Sequence, residues 1–498
     1  MKYSFSTERF WIRHPALLYG LSALLGLFAP YSLFIFLAYP LFGLKIKRLG
    51  LCFLLAFCSW GFYHLSYSPM QKQEKGTAIF RIDHISATRT PFSNTWTYKG
   101  TILSFYLDNE MQPIGKNLPF TLSLPRTSNT PPYLGEMLYQ AEGSLKPTGS
   151  HRYAFCPAKG ISWIEREACW SFAKKRFHCK NWVRNHLKRV IEIPRAASFL
   201  IGMATGEFDD FLMSQELGRF GLQHIMAISG FHFSIIAACI TFIFRAIFPL
   251  RVTPYVVFFL ITLYLLFLGS SSSILRAWIT ASIAILGTVS TKNSLALNSL
   301  GVAVMGIVFY DPLQVFTLGF QFSFLITGAI LLFYQPFTHL VDKLSPRRRL
   351  SQLVEMPLLD QHGYLVLYYV RQALALTLSV SVISLPLSLY YFHKFPIMSL
   401  AYNLFFPLLV SFAIILLILA LLISCISSPA AHLVHQVNGS FTDALLSLCY
   451  NIPTSLDYHI KASYLSSGYF VVYLLAALWL GIFLHLKREK NLSEFWAF

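Results

Sequence analysis

Residues 15–44 read PALLYGLSALLGLFAPYSLFIFLAYPLFGL, and this stretch carries no charged side chain. Since one membrane-spanning helix needs about 20 mostly apolar residues, the stretch is long enough for two short spans that break near Pro30. Similar apolar runs follow at 50–66, at about 220–334 and at about 364–486. The pattern predicts a polytopic α-helical membrane protein with roughly 11–12 transmembrane helices.

The composition excludes other classes of protein. Of the 498 residues, 55% are hydrophobic and only 12% are charged, about half the usual charged share. A disordered chain is poorer in aliphatic and aromatic residues, and eight cysteines are too few for a disulfide scaffold of this length. The net charge of +18 is the unexpected feature, because few charges are tolerated in lipid.

Basic residues in short loops predict the orientation, because such residues stay on the cytoplasmic side. The assignment places both chain ends in the cytoplasm and residues 67–195 on the outer side of the membrane. The loops expected to be cytoplasmic contain Lys2, Arg9, Arg13, Lys45, Lys47, Arg48, Arg245, Arg251, Lys292, Arg347, Arg348, Arg349, Lys487, Arg488 and Lys490.

The segment 67–195 has 19 Lys and Arg against nine Asp and Glu, a net charge of +10. Such a surface suits an anionic partner such as nucleic acid, phospholipid headgroups or cell-envelope polymer. Short alternating stretches between Pro, Gly and Asn clusters predict β-strands in about 77–147. A small antiparallel barrel or sandwich fits this spacing, and an OB-like β-barrel is one option. A spacer domain without a ligand is the other interpretation.

Residues 161–192 have the apolar spacing of one amphipathic helix, and its basic face suits either an anionic membrane surface or DNA phosphates. Trp163 and Trp170 are candidates for stacking on bases. The candidate DNA-binding cations are Lys174, Lys175, Arg176, Lys180 and Arg184, with Lys188 and Arg189 further along the same segment.

Three cysteines, Cys156, Cys169 and Cys179, fall in the same segment, where a disulfide is plausible in an oxidising compartment. In a continuous helix, Cys169 and Cys179 would be separated by about 15 Å of rise, which exceeds the reach of a disulfide. A bridge would therefore pair Cys156 with one of the other two.

Polar residues interrupt the apolar second half in four clusters: residues 218–232, 270–277, 311–324 and 385–407. Each polar group inside a membrane is a functional candidate because it is costly there. Hydrogen bonding between packed membrane helices is the simpler explanation for any one of them. Four clusters in one bundle favour a hydrated path.

These clusters resemble the signature elements of the ComEC-type competence proteins, a family of DNA-uptake channels. Residues 221–236, GLQHIMAISGFHFSII, resemble the family's HLLAISGLHV element, and residues 270–280, SSSSILRAWIT, resemble its SPSVLRA element. Residues 311–332 and 383–409 resemble its DPL and NLL elements in the same order. The similarity extends over roughly 195–425. The residues on family motif positions are His224, Ser229, Gly230, His232, Arg276, Gln321, Ser323 and Asn403.

The resemblance implies a channel rather than an enzyme, one that passes single-stranded DNA inward during natural transformation. It also implies a lipid bilayer as surroundings, a periplasmic protein that delivers DNA and a cytoplasmic motor or helicase, since this chain has no P-loop motif. The implied organisation is N-terminal transmembrane helices (1–66), an exported OB-like domain (67–150), a basic helix and linker (151–195), a channel domain (196–425) and C-terminal transmembrane helices (426–498).

The sequence departs from many family members in two ways. No H-x-H-x-D-H metal motif of a nuclease-like domain occurs in it, so we expect no metal or other cofactor and a separate nuclease for any strand degradation. Phe231 and Phe233 replace the usual smaller residues around the second histidine. The rival interpretations are an enzyme or a transporter acting on lipid-linked or other anionic envelope substrates, with His224, Ser229 and His232 as reactive groups.

Overall fold

The computed structural model describes most of the chain, and all structural statements below concern that part. The described residues are 7–28, 46–89, 94–107, 112–125, 133, 137–149, 151–158, 163–165, 172–208, 210–226, 230–269, 271–289, 295–348, 350–453, 457–462 and 465–495. The second half of the opening apolar stretch, Cys169, Trp170 and Ser229 therefore lie outside the described residues.

The N-terminal third contains a closed five-stranded β-barrel. Its strands pair in the order β1-β2-β3-β5-β4, and β1 also pairs with β4, which closes the ring. The pair β3–β5 is parallel and the others are antiparallel. This arrangement confirms the OB-like fold expected for the segment. The strands are β1 (Glu74–Arg89), β2 (Asn94–Leu107), β3 (Gly115–Pro125), β4 (Leu138–Gly149), β5 (Arg152–Pro157) and the short β6 (Ile164–Glu165), which pairs with β4.

Alternation along these strands directs one set of side chains into an aromatic-rich core. Phe80, Tyr98 and Phe105 are fully buried there. The segment leading into the barrel is held to it as well, because the Tyr153 hydroxyl bonds the backbone N–H and C=O of Met70 at 2.9 and 3.1 Å. The barrel is thus connected to the preceding helix by a hydrogen-bonded junction.

The rest of the described chain is mainly helical. The helices are α1 (Thr7–Arg13), α2 (Pro15–Leu27), α3 (Ile46–Ser66), α4 (Phe172–Val190), α5 (Pro194–Thr205), α6 (Phe211–Arg219), α7 (Gln223–Met226), α8 (Gly230–Ile247), α9 (Thr253–Leu268), α10 (Ser272–Val289), α11 (Ala296–Tyr310), α12 (Leu318–Leu344), α13 (Leu350–Val354), α14 (Leu358–Phe392), α15 (Ser399–Ser424), α16 (Ser428–Tyr450) and α17 (Ser467–Phe495). A 3-10 helix (Pro312–Phe316) precedes α12, and β7 (Lys394–Pro396) pairs with β8 (His459–Lys461).

Five of the described helices are long and apolar enough to cross a membrane: α3, α12, α14, α15 and α17. Five shorter apolar helices, α2 and α8 to α11, accompany them. The fold class predicted from the sequence, a polytopic helical membrane protein with a small β-barrel, is confirmed. The full count of 11–12 spans stays a prediction.

Small residues permit close helix packing, as is common in membranes. A Cβ atom at Gly20 on α2 would lie only 2.5 Å from the carbonyl oxygen of Gly301 on α11. A Cβ atom at Gly26 would lie 2.1 Å from the carbonyl oxygen of Ala56 on α3. Backbones in contact at these two points bring α2, α3 and α11 together and leave no room for a side chain.

One face of the polar helix α16 packs against the bundle. Asn438 is fully buried, and its amide donates to the carbonyl of Ala413 on α15 at 3.1 Å. Arg195 at the start of α5 forms an ion pair with Asp443 at 2.7 Å. The polar residues Asn438 and Asp443 of this helix are therefore used in contacts between helices.

The amphipathic helix predicted over 161–192 is wrong in its first part. Ile164 and Glu165 form β6, and the helix begins at Phe172. Cys156 and Cys179 carry free thiols, so no bridge joins these two, and Cys169 lies outside the described residues.

Candidate functional site

A cavity of about 2830 Å³ lies between the β-barrel and the helical bundle. The barrel contributes Lys99 of β2 and Arg152 of β5, and the bundle contributes Gln321 of α12 and Tyr391 of α14. Further from the barrel the wall becomes apolar. That apolar part is lined by residues such as Leu21, Leu297, Phe333, Ile383 and Leu478.

Cations outnumber acids among the described residues of the cavity wall. The basic side chains are Arg81, Lys99 and Arg152 of the barrel with Arg176 and Lys180 of α4, and the acids are Asp83, Glu207 and Asp311. Low-dielectric walls strengthen the field of such a cluster. The cavity therefore suits an anionic ligand.

The three acids are already engaged by neighbouring groups. Asp83 accepts from Arg81 Nε at 2.8 Å and from the Thr101 hydroxyl at 3.0 Å. Asp311 accepts from the backbone N–H of Leu313 at 3.1 Å and so caps the 3-10 helix. Burial raises the pKa of the Asp311 carboxyl above its usual value. These contacts reduce the repulsion that the acids would exert on an anion.

Glu207, on the loop after α5, joins two cations of α4. Its carboxylate accepts from Lys180 Nζ at 2.9 Å and from Arg184 Nη2 at 3.1 Å. Burial lowers the pKa of the Lys180 ammonium, while Glu207 acts in the opposite direction by favouring the charged form. The basic face of α4 is therefore held against the protein at these two positions.

Arg176 and Lys180 of α4 also bind the C-terminal end of α9. Arg176 Nε donates to the carbonyl of Leu266 at 2.7 Å, and Lys180 Nζ donates to that of Leu268 at 3.0 Å. Cations stabilise the last carbonyls of a helix because those groups lack partners within the helix. The prediction that Lys180 and Arg184 form an open DNA-binding surface is corrected by these contacts, because both side chains serve the packing of α4.

Trp163 also differs from its predicted role. Only 8% of this residue is exposed, and its ring stacks on Tyr133 at 3.7 Å inside the barrel core. A base cannot stack on an indole buried in this way. Lys175 is exposed on α4, whereas Trp170 and the side chain of Lys174 lie outside the described part of the chain.

The structure brings three motif residues together from three helices. Arg276 of α10 donates from Nε to the Ser323 hydroxyl of α12 at 2.7 Å, and Ser323 donates to Ser273 at 3.3 Å. A Cβ atom at Gly230 of α8 would lie 2.6 Å from Arg276 Nη2. Gly230 therefore leaves the space that the guanidinium occupies.

The other motif residues are spread over the bundle. His232 is buried, whereas His224 is exposed, with its Nδ1 3.0 Å from the carbonyl of Gly221. Asn403 has a buried amide oxygen with no hydrogen-bond partner among the described residues. Gln321 accepts a hydrogen bond from the Tyr391 hydroxyl. Of the described motif residues, Gln321 alone lines the cavity.

Sequence reasoning missed Lys99, Arg152 and Tyr391 as residues of a common site. Lys99 is exposed on β2 between the buried Tyr98 and Gly100, so strand alternation already pointed it away from the core. The contact with the bundle had no local signal, because Arg152 and Tyr391 are far apart in the chain.

The fold and the site define a class of protein: a multi-pass membrane protein with an OB-like barrel set over a cation-lined cavity. Residues 210–487 match the family model described as "Competence protein". This match covers more than half of the chain, and the chain therefore belongs to the competence protein family.

One curated relative gives a more limited match. The chain is 25% identical over 186 residues to ComE operon protein 3 of Bacillus subtilis (strain 168). The match covers 37% of this chain and 21% of that protein, about a fifth of its length. No solved structure matches the chain.

Proposed function

We propose that this protein is an inner-membrane channel that translocates single-stranded DNA into the cytoplasm during natural transformation. The observation that carries the proposal is the cavity between barrel and bundle, whose described wall residues include five Lys and Arg against three Asp and Glu. Arg81 and Lys180 are paired with two of these acids, whereas Lys99 and Arg152 form no ion pair among the described residues. Membership of the competence protein family supports the same role.

In this proposal the segment 67–195 lies on the periplasmic side. DNA enters between the barrel, the start of α12 and the last turn of α14. Lys99 and Arg152 approach the strand from the barrel. Tyr391, opposite them, offers an aromatic surface on which a base can stack. Phosphate contacts and stacking together give binding that tolerates any sequence, as uptake requires.

The apolar part of the cavity has a separate role in the proposal. Hydrophobic constrictions exclude water and ions while they are empty. Side chains such as Leu21, Phe333 and Leu478 would therefore limit ion leakage when no strand is present. A cytoplasmic motor or helicase would supply the energy, a periplasmic protein would deliver the DNA, and a separate nuclease would degrade the other strand.

The test compares barrel cations inside and outside the cavity. We expect Lys99→Gln with Arg152→Gln to weaken binding of single-stranded DNA and to lower its salt slope by about 1.4, since each lost phosphate contact removes about 0.7. The measurement is a salt titration of oligonucleotide binding to the full-length protein. Lys146→Gln is the control, because Lys146 is exposed on β4 and does not line the cavity.

Binding that is independent of salt in the wild-type protein, or an equal loss in Lys146→Gln, would contradict the proposed path.

A further inference from the structure

The strands β7 and β8 form a short ribbon whose residues do not line the cavity. Its register pairs Lys394 with Lys461, Phe395 with Ile460 and Pro396 with His459. Hydrogen bonds flank these pairs on both sides. The Ala462 N–H donates to the His393 carbonyl at 3.1 Å, and the Ile397 N–H donates to the Tyr458 carbonyl at 3.0 Å.

This register places the side chains of Lys394 and Lys461 close to each other. Opposite residues in an antiparallel ladder alternate between hydrogen-bonded and non-hydrogen-bonded pairs, and side chains lie closer in the latter. Because the flanking pairs on each side are hydrogen-bonded, Lys394 and Lys461 occupy a non-hydrogen-bonded pair. Both lysines are exposed, whereas Phe395, on the opposite face, is buried. Like charges directly opposite each other destabilise a strand pair.

No acid in the surrounding chain neutralises this pair. Between residues 392 and 468 the sequence contains only Asp443 and Asp457 as acids. Asp443 pairs with Arg195 at 2.7 Å, and Asp457 accepts from Arg219 at 2.8 and 3.0 Å. Among the residues that the structure describes, neither lysine forms an ion pair.

The ribbon follows one segment that lines the cavity and precedes another. Tyr390 and Tyr391, at the end of α14, line the cavity just before β7 begins, and Ser467 lines it at the start of α17, after β8. The ribbon is also fixed to the neighbouring loop, because a Cβ atom at Gly221 would lie 2.9 Å from Pro396 Cγ. This contact holds the ribbon, and with it Lys394 and Lys461, in place next to the segments that line the cavity.

We propose that Lys394 and Lys461 form a phosphate-binding clamp that takes the phosphodiester backbone of the incoming single strand beside the segments that line the cavity. This inference rests on the proposed function and adds a contact outside the cavity. A phosphodiester between the two ammonium groups replaces their repulsion with two attractive contacts. Its position next to segments that line the cation-bearing cavity, through which the strand passes in the proposed function, favours DNA over a lipid headgroup as the anion.

The experiment measures oligothymidine binding to the full-length protein in nanodiscs of zwitterionic lipid over a range of salt concentrations. We expect Lys394→Gln with Lys461→Gln to lower the salt slope by about 1.4, and each single variant to lower it by about 0.7. The variant with arginine at both positions should keep the wild-type slope, which separates loss of charge from loss of structure. Lys343→Gln with Lys487→Gln is the matched control, because both lysines are exposed in the last parts of α12 and α17, away from the cavity.

An unchanged slope in the double glutamine variant would overturn the clamp. If the same variant also loses co-purified phosphatidylglycerol, the lysine pair is assigned to a lipid headgroup instead. The proposed function fails separately, if the wild-type protein binds no single-stranded DNA. If the Lys99 and Arg152 variants lower the slope but the Lys394 and Lys461 variants do not, the proposed function is retained and the clamp is rejected.

Discussion

Arg276 lies where three helices, α8, α10 and α12, come together. The sequence identified it as a costly cation inside a span, and the structure gives it a hydroxyl partner on α12 and a space at Gly230 on α8. It therefore links three helices, although it does not line the cavity. Arg276 would therefore affect transport by fixing the arrangement of those helices, without contacting the DNA.

We expect Arg276→Ala to abolish DNA uptake while leaving membrane insertion intact, because the link between α10 and α12 is lost. Arg276→Lys should fail as well, since one ammonium cannot reproduce the planar guanidinium beside Gly230. Transformation frequency and the amount of protein in the membrane fraction measure the two effects. Wild-type transformation by Arg276→Ala would refute a role for this residue.

At the scale of elements, α4 shows where periodicity is insufficient. Apolar spacing predicted a helix from 161, yet Ile164 and Glu165 pair with β4, and Trp163 completes the barrel core. Packing of a large indole against Tyr133 outweighs the local preference for a helix. β5 was missed for a different reason, because it has only six residues and follows β4, with which it pairs, across a tight turn.

We expect Glu207→Gln to destabilise the packing of α4 by about 3 kcal/mol, because it leaves the buried Lys180 without its carboxylate. Limited proteolysis of the α4 region and thermal unfolding of the purified protein measure the change. Combining Glu207→Gln with Lys180→Met should recover part of the loss, since the buried ammonium is then removed while Arg184 keeps its hydrogen bond to Asn181. Equal stability of Glu207→Gln and the wild type would show that the ion pair contributes nothing.

At the scale of the molecule, the sequence predicted both architectural parts but not their contact. Apolar runs predicted the helices, and strand alternation with turn residues predicted most of the barrel. The cavity brings Lys99 and Arg152 of the barrel together with Gln321 and Tyr391 of the bundle, although the two pairs lie far apart in the sequence. No local pattern reports such a contact, so the site became visible only in three dimensions.

In the proposed function, single-stranded DNA passes through the cavity between barrel and bundle. Site-specific photocrosslinking to labelled DNA during uptake by living cells tests this path, with the crosslinker at Thr101 or Gln314 in the cavity wall. Phe259, which is 61% exposed on α9, is the control position outside the cavity. We predict DNA adducts at Thr101 and Gln314 and none at Phe259. Adducts at Phe259 alone, or none at the two cavity positions while uptake continues, would contradict the claim.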